Sequence, residues 1–161
     1  MKKIILLILA IITMSCNSKE FSEKALSTTL LTLDGSQIAF KDILKKHEGK
    51  TVLIEVWAAW CGDCVKNMPK IKEIQTNNPN VVYVFLSADK TAESWKKGIE
   101  KHQITGDNYM INDGNKGEFA KTIDLDWIPR YIIIDKTGAI ITYKAIETDF
   151  EKVNETLKSL N

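Results

Sequence analysis

Cysteine, proline and histidine are all scarce in this 161-residue chain, which has three cysteines, three prolines and two histidines. Three cysteines are too few for a disulfide-stapled scaffold, and their odd number gives at least one of them a separate task. The two histidines, His47 and His102, show no metal-ligand spacing. Long runs of one charge are missing, and 22 basic against 21 acidic side chains leave a net charge of +1, no electrostatic footprint for nucleic acid. No apolar stretch reaches the roughly 20 residues that a helix needs to cross a bilayer. Internal repeats and low-complexity tracts are absent as well. What remains is ordinary: 44% hydrophobic and 27% charged residues. That composition excludes disorder, collagen-like repeats and coiled coil, and the length suits one domain with one core.

The first residues stand apart from that domain. Met1-Lys2-Lys3 precede an unbroken apolar stretch, Ile4 to Ile12, which ends in Thr13-Met14-Ser15-Cys16. A basic start, a short apolar core and a small residue before a cut form the pattern of an export signal over residues 1–15. The segment also resembles a bacterial lipoprotein signal, in which Cys16 becomes the lipidated first residue. Ser15 fits that pattern, whereas Thr13 and Met14 depart from it, so an ordinary cleaved signal is the rival reading. Cleavage there removes Lys2 and Lys3 and turns the net charge from +1 to about −1. Residues 16–27 are polar without a clean period and read as a lipidated tether, which leaves residues 28–161 as the folded domain. The expected location is the bacterial cell envelope, facing the periplasm, with the membrane reached through Cys16.

Along the domain, Thr28 to Leu33 and Gln37 to Phe40 flank Asp34-Gly35 and predict a small hairpin. Phe40, Ile43 and Leu44 have helical spacing, with Gly49 as the stop. Val52 to Trp57 and Val81 to Leu86 are nearly continuous apolar runs, as expected of central strands covered on both faces. Between them Cys64, Met68, Ile71 and Ile74 mark one face of a helix. A further helix follows Asp89 or Thr91, with Trp95 and Ile99 inward. Residues 103–125 read as irregular, and 106–125 as a substrate-facing insertion without a chemical motif. Tyr131 to Ile134 and Ala139 to Tyr143 flank the turn Asp135-Lys136-Thr137-Gly138. Thr148 and Glu151 form a capping-box pattern before a last helix carrying Phe150, Val153, Leu157 and Leu160. The order predicts an α/β fold with a mixed central sheet, helices on both faces and an N-terminal β-hairpin extension.

The chemistry concentrates in Trp57-Ala58-Ala59-Trp60-Cys61-Gly62-Asp63-Cys64, where a strand gives way to a helix. A helix N-terminus carries partial positive charge and free N–H groups, both of which favour a thiolate. Cys61 gains most from this and is the exposed attacking nucleophile; Cys64, one turn on, can resolve a mixed disulfide. A structural zinc site needs about four ligands, which this chain does not group. Covalent haem attachment needs His after the second cysteine, and Val65 stands there. An inert structural disulfide stays open, although so short a loop constrains little of the unfolded chain.

This string, with Pro69 five residues on and Trp127-Ile128-Pro129 far downstream, resembles the thioredoxin superfamily, and within it the exported TlpA and ResA type of thiol-disulfide oxidoreductase. The resemblance spans roughly residues 30–160. It implies a thioredoxin-like fold with Cys61 as nucleophile, Cys64 as resolving thiol and Pro129 as the family's cis-proline, lying against the disulfide. The Ile128 backbone would then pair with an extended substrate, and Trp60 would pack beside the site. Pro69 matches the family's helix kink, and Trp57 belongs in the core. Where ResA-type proteins commonly carry Glu, this chain has Asn67. Glu55 instead matches the buried acidic residue of cytosolic thioredoxin; its burial should raise its pKa and let it take the Cys64 proton. Asp63 replaces a proline: its charge disfavours a second charge on Cys61 and stabilises the disulfide, which makes a better reductant. The same residue also suits a helix first turn. Gly62 keeps the backbone open between the cysteines. Arg130 replaces the usual Thr, either to favour acidic substrates or as a solvated strand-end residue.

The expected activity is thus reduction of protein disulfides in exported proteins, apocytochrome c among them by resemblance. The redox group is the Cys61–Cys64 disulfide itself, with no metal, flavin or nucleotide. An exported reductase has no local thiol supply, so the expected partners are its protein substrates and a membrane electron donor, with no nucleic acid; the sequence does not speak to oligomeric state. A disulfide oxidase or isomerase of the same fold, a thiol peroxidase and a non-catalytic surface-lipoprotein binding module are the alternatives.

Overall fold

The computed structural model describes residues 19–161; the expected export signal and Cys16 lie outside the described residues. In chain order the elements are α1 (Glu23–Ser27), β1 (Thr29–Leu31), β2 (Gln37–Ala39), α2 (Phe40–Lys46), β3 (Val52–Trp57), α3 (Gly62–Asn77), β4 (Val82–Ser87), α4 (Ala92–His102), β5 (Asp107–Met110), α5 (Glu118–Thr122), β6 (Arg130–Ile134), β7 (Ile140–Ala145) and α6 (Phe150–Leu160). The strands form one mixed sheet in the order β2-β1-β5-β4-β3-β6-β7. Strands β3, β4 and β5 run parallel, while β1–β2, β1–β5, β3–β6 and β6–β7 pair antiparallel. Among the described residues no helix is long and apolar enough to cross a membrane.

Every residue of β3 is buried, as a nearly continuous apolar strand demands when helices cover both faces. On one face lie α3, α4 and α6: Asn78, which caps α3, hydrogen-bonds Asn154 of α6, and Gln75 of α3 donates to the carbonyl of Thr105 just beyond α4. On the other, Phe40 of α2 packs edge-to-face on Phe119 of α5 and on Phe21 beside α1. Each such large apolar side chain contributes roughly 1.5–3 kcal/mol on burial. Trp57 and Trp95 are both fully buried core residues, as expected.

Three parts of the chain depart from the sequence expectation. The tether of residues 16–27 overlaps a packed segment. Ser22 caps α1, Ala25 is fully buried, Phe21 meets Phe40 at 4.9 Å between ring centroids, and Lys19 sits 3.8 Å over the Tyr143 ring. A helix of five residues is too short to display a period, which is why its polar composition misled. The irregular stretch 103–125 contains β5 and α5. Strand β5 is written Asp-Asn-Tyr-Met, a poor strand sequence by propensity, and it forms because β4 and β1 template it from either side. The capping box at Thr148 does not form: α6 starts at Phe150 behind Asp149, whose carboxylate turns back to accept from the Ile146 N–H at 3.0 Å.

Candidate active site

The site sits where β3 ends and α3 begins. Trp57 closes the strand, Ala58 to Trp60 form a turn, and Cys61 is the N-cap of α3. Cys61 and Cys64 are joined as a disulfide with their Cα atoms 5.3 Å apart. The Cys64 N–H points at Cys61 Sγ, 3.1 Å away, so the cysteine occupies the place of a capping oxygen and meets the positive end of the helix. When the pair is reduced, that geometry stabilises a thiolate on Cys61 rather than on Cys64.

Cys64 has no exposure and Cys61 keeps only 5%. Cys61 is therefore less exposed than the sequence suggested, because the loop before β6 covers it: its sulfur lies 3.6 Å from the Ile128 carbonyl oxygen. The Ile128–Pro129 peptide bond is cis and Pro129 is buried. Beside this contact a groove of about 420 Å³ opens, lined by Trp60, Cys61, Asp63, Lys116, Trp127 and Ile128 among others. Trp60 stands on its rim, 54% exposed. Gly62 and Asp63 are both exposed in the first turn of α3, and Asn67 donates to the Asp63 carbonyl at 2.8 Å.

Glu55 is 1% exposed and lies one residue pair inside the end of β3. It stands opposite Tyr131 in the β3–β6 register. The Tyr131 ring packs on Phe150 of α6. Two residues earlier on β3, Leu53 pairs with Tyr83, whose hydroxyl donates to the Ile74 carbonyl of α3. Glu55 thus belongs to the sheet face that α3 and α6 cover. Neither of its carboxylate oxygens finds a hydrogen-bond partner within 3.5 Å in the protein. Burial pushes its pKa up to about 8, opposed only in part by the Tyr131 hydroxyl. A buried carboxyl poised near neutrality on the sheet face that α3 covers can both accept and return a proton.

Two residues support the site in ways the sequence does not signal, although Asp89 stands out there as a possible helix start. Asp89, buried, accepts from the Ala59 N–H at 3.0 Å, from the Ser87 hydroxyl at 2.8 Å and from the Ser94 hydroxyl at 3.0 Å. It ties the turn before Cys61 to β4 and α4. Gly98 of α4 lets that helix approach the same turn, since a Cβ there would lie 2.6 Å from Ala59 Cβ and 3.1 Å from Trp57 Cη2. Replacing Asp89 by alanine strands three donors, and we expect a loss of about 2–4 kcal/mol. Urea unfolding of the oxidised protein checks this: an unchanged midpoint would mean that the carboxylate holds nothing.

Arg130 corrects both expectations made for it. It is neither solvated nor available to substrates, being fully buried on the sheet face away from Glu55, paired with Asp126 and donating to the Asp124 carbonyl at 3.3 Å. Strand alternation explains this: Arg130 stands opposite Val56 and Tyr131 opposite Glu55, so their side chains point to opposite faces. Among the described residues no three His, Cys, Asp or Glu side chains gather as metal ligands would.

The sequence profile of the Redoxin family, described simply as Redoxin, matches residues 20–160. The thiol-disulfide oxidoreductase ResA of Bacillus thuringiensis subsp. konkukian is 27% identical over 143 residues, covering 88% of this chain and 79% of that protein. A solution structure from Bacteroides vulgatus, assigned as a thiol-disulfide oxidoreductase, is 29% identical with a TM-score of 0.68, covering 91% of this chain and 93% of the other. A secreted disulfide oxidoreductase of Mycobacterium tuberculosis shares the fold, with a TM-score of 0.66 at 17% identity over 86% of this chain and all of that one. Fold, disulfide and relatives together define a ResA-like thiol-disulfide oxidoreductase of the thioredoxin superfamily. The chain belongs to the Redoxin family.

Proposed function

We propose that the protein is an envelope-facing reductase of disulfides in exported proteins, held at the membrane through a lipid on Cys16 and recharged by a membrane dithiol donor. The observation that carries the reading is the seat of the disulfide: Cys61 caps α3, accepts the Cys64 N–H and faces the groove at Ile128.

In the forward half-reaction the Cys61 thiolate attacks one sulfur of the client disulfide. That bond breaks, the other client sulfur leaves as a thiolate, and a Cys61–client mixed disulfide forms. Cys64 then passes its proton to Glu55, and its thiolate attacks Cys61 Sγ. The mixed disulfide breaks, the second client thiolate departs, and two electrons have moved from the pair to the client. The product is the oxidised protein with Glu55 protonated, which matches the pKa of about 8 that burial gives this carboxyl in the disulfide form. A donor dithiol reverses the steps, and Glu55 returns the proton to Cys64. Ile128 and Pro129 supply backbone against which an extended client can lie, Trp60 flanks it, and Asp63 with Gly62 sets the balance between dithiol and disulfide. The secreted relative from Mycobacterium tuberculosis supports the exported setting.

A Cys64→Ser variant tests the order of events. It should stop at the first step and accumulate mixed disulfides with its clients through Cys61, and mass spectrometry of those adducts identifies the client class. Adducts formed through another residue, or none under conditions where the unaltered protein turns over, would overturn the assignment.

A further inference from the structure

Four large apolar side chains are conspicuously exposed among the described residues, and two of them, Trp60 and Trp127, flank the groove that holds Cys61. Trp60 is fixed in place by the cysteine string beside it. Trp127 has no such reason to be there: it is 51% exposed, belongs to the loop before β6, and takes no part in the sulfur chemistry. An exposed tryptophan with no partner would be free to fold down on the surface, yet this one is held. Its indole N–H donates to the Glu147 carboxylate at 3.1 Å.

The loop that carries it is tied down on every side. The Arg130 guanidinium pairs with Asp126 from below and donates to the Asp124 carbonyl. Lys144 reaches Asp124 at 2.5 Å and Asp126 at 3.2 Å. The Tyr143 hydroxyl donates to the Ile123 carbonyl at 2.9 Å. Four of these contacts, made by Tyr143, Lys144 and Glu147, come from β7 and the turn after it, elements that contribute nothing else to the site. A wall held this way loses little freedom when a ligand arrives, which is the main route by which a shallow groove gains affinity.

We infer that Trp127 is a specificity-determining residue which, with Trp60, grips a bulky apolar or aromatic side chain next to the reacting cysteine of an extended client. The inference rests on the exchange chemistry proposed above. The occupant follows from continuity with the disulfide. Any client sulfur attacked by Cys61 must lie in the groove, so the residues flanking it land on these walls. At about 420 Å³ the groove is within the range of sites that enclose small ligands, enough for one large side chain beside the cysteine. Two indoles on one groove can bury such a side chain with offset or edge contacts, whereas a serine or glycine there leaves them in water.

The test uses the reduced, full mature chain and two synthetic peptide disulfides, identical except for Phe or Ser beside the cysteine, with exchange rates followed by acid quench and mass spectrometry. The unaltered protein should react roughly tenfold or more faster with the Phe peptide, the discrimination an apolar pocket can supply. In Trp127→Ala the ratio of the two rates should fall to near one, and Trp127→Phe should keep most of it, which separates a reading surface from a merely structural one. Equal rates for the unaltered protein, or a preference that survives Trp127→Ala, would overturn the inference. Failure with cystine as well as with both peptides would instead overturn the exchange chemistry on which it rests.

Discussion

Cys61→Ser should reduce turnover of any disulfide substrate to the uncatalysed rate while leaving the fold intact. The two halves of that expectation have separate causes. A serine hydroxyl at the N-cap keeps the hydrogen bond from the Cys64 N–H, and Ser is among the preferred capping residues. The lost disulfide closes a loop of only a few residues, so chain entropy puts its contribution on the order of 2 kcal/mol. A hydroxyl, however, neither ionises near neutrality nor forms the mixed disulfide, and Cys64 is too deeply buried to take over the attack. Circular dichroism together with insulin reduction checks both halves. Residual turnover well above background would place the nucleophile elsewhere, and a collapsed fold would make the disulfide structural.

Glu55→Gln should make the protein more stable at alkaline pH and slower at its chemistry. The direction follows from proton counting. Below about pH 4.5, the ordinary value, the carboxyl is protonated whether the chain is folded or unfolded. Between there and about pH 8 the unfolded chain has released the proton and the native state still holds it. The native state binds more protons in that window, so stability falls as pH rises, by about 1.4 kcal/mol per pH unit. The accumulated penalty above pH 8 is on the order of 4–5 kcal/mol. Glutamine is a neutral isostere of the protonated acid and carries no such penalty. The difference in unfolding free energy between Glu55→Gln and the unaltered oxidised protein should therefore grow by that amount from pH 4.5 to 9, measured by denaturant titration at each pH. A difference independent of pH would mean that Glu55 ionises as a solvated carboxyl does. On the role proposed for Glu55 as acceptor of the Cys64 proton, resolution of a mixed disulfide in the same variant should slow by about 10²–10⁴-fold. Gain of stability with loss of rate is the usual exchange at a functional site.

The parts of this protein legible in the sequence are those where chemistry or burial dictates residue type at close spacing. The Cys61-Gly62-Asp63-Cys64 string announces itself at the start of a helix. The apolar runs of β3 and β4 announce a covered parallel pair, and Glu55 stands out as the one charge in such a run. The β6–β7 hairpin follows from its Asp-Lys-Thr-Gly turn, where the Asp135 carboxylate accepts from the Thr137 and Ala139 N–H groups. What stayed hidden depends on partners distant along the chain. Asp89 acquires its role only when Ala59 is folded over it, and Arg130 is buried only because β6 sends alternate side chains to opposite faces and a loop acid meets it there. Strand β5 and the segment from Phe21 to Ser27 exist through neighbours that template or cover them, against their own local preference. Trp127 shows both sides: its place before Ile128 and Pro129 was visible, but its grip by Glu147 and its place with Trp60 in the lining of one groove needed the fold.

The reduction potential of the Cys61–Cys64 pair, measured by equilibration with a thiol buffer of known poise, decides the direction in which this site works. A value more reducing than about −180 mV, toward the −270 mV of thioredoxin, is expected, because the roles proposed for Asp63, favouring the disulfide, and for Glu55, holding the Cys64 proton in the oxidised state, both push that way. A value more oxidising than −180 mV, in the range of the disulfide isomerases and beyond, would contradict the reductase assignment and make the protein a donor of disulfides.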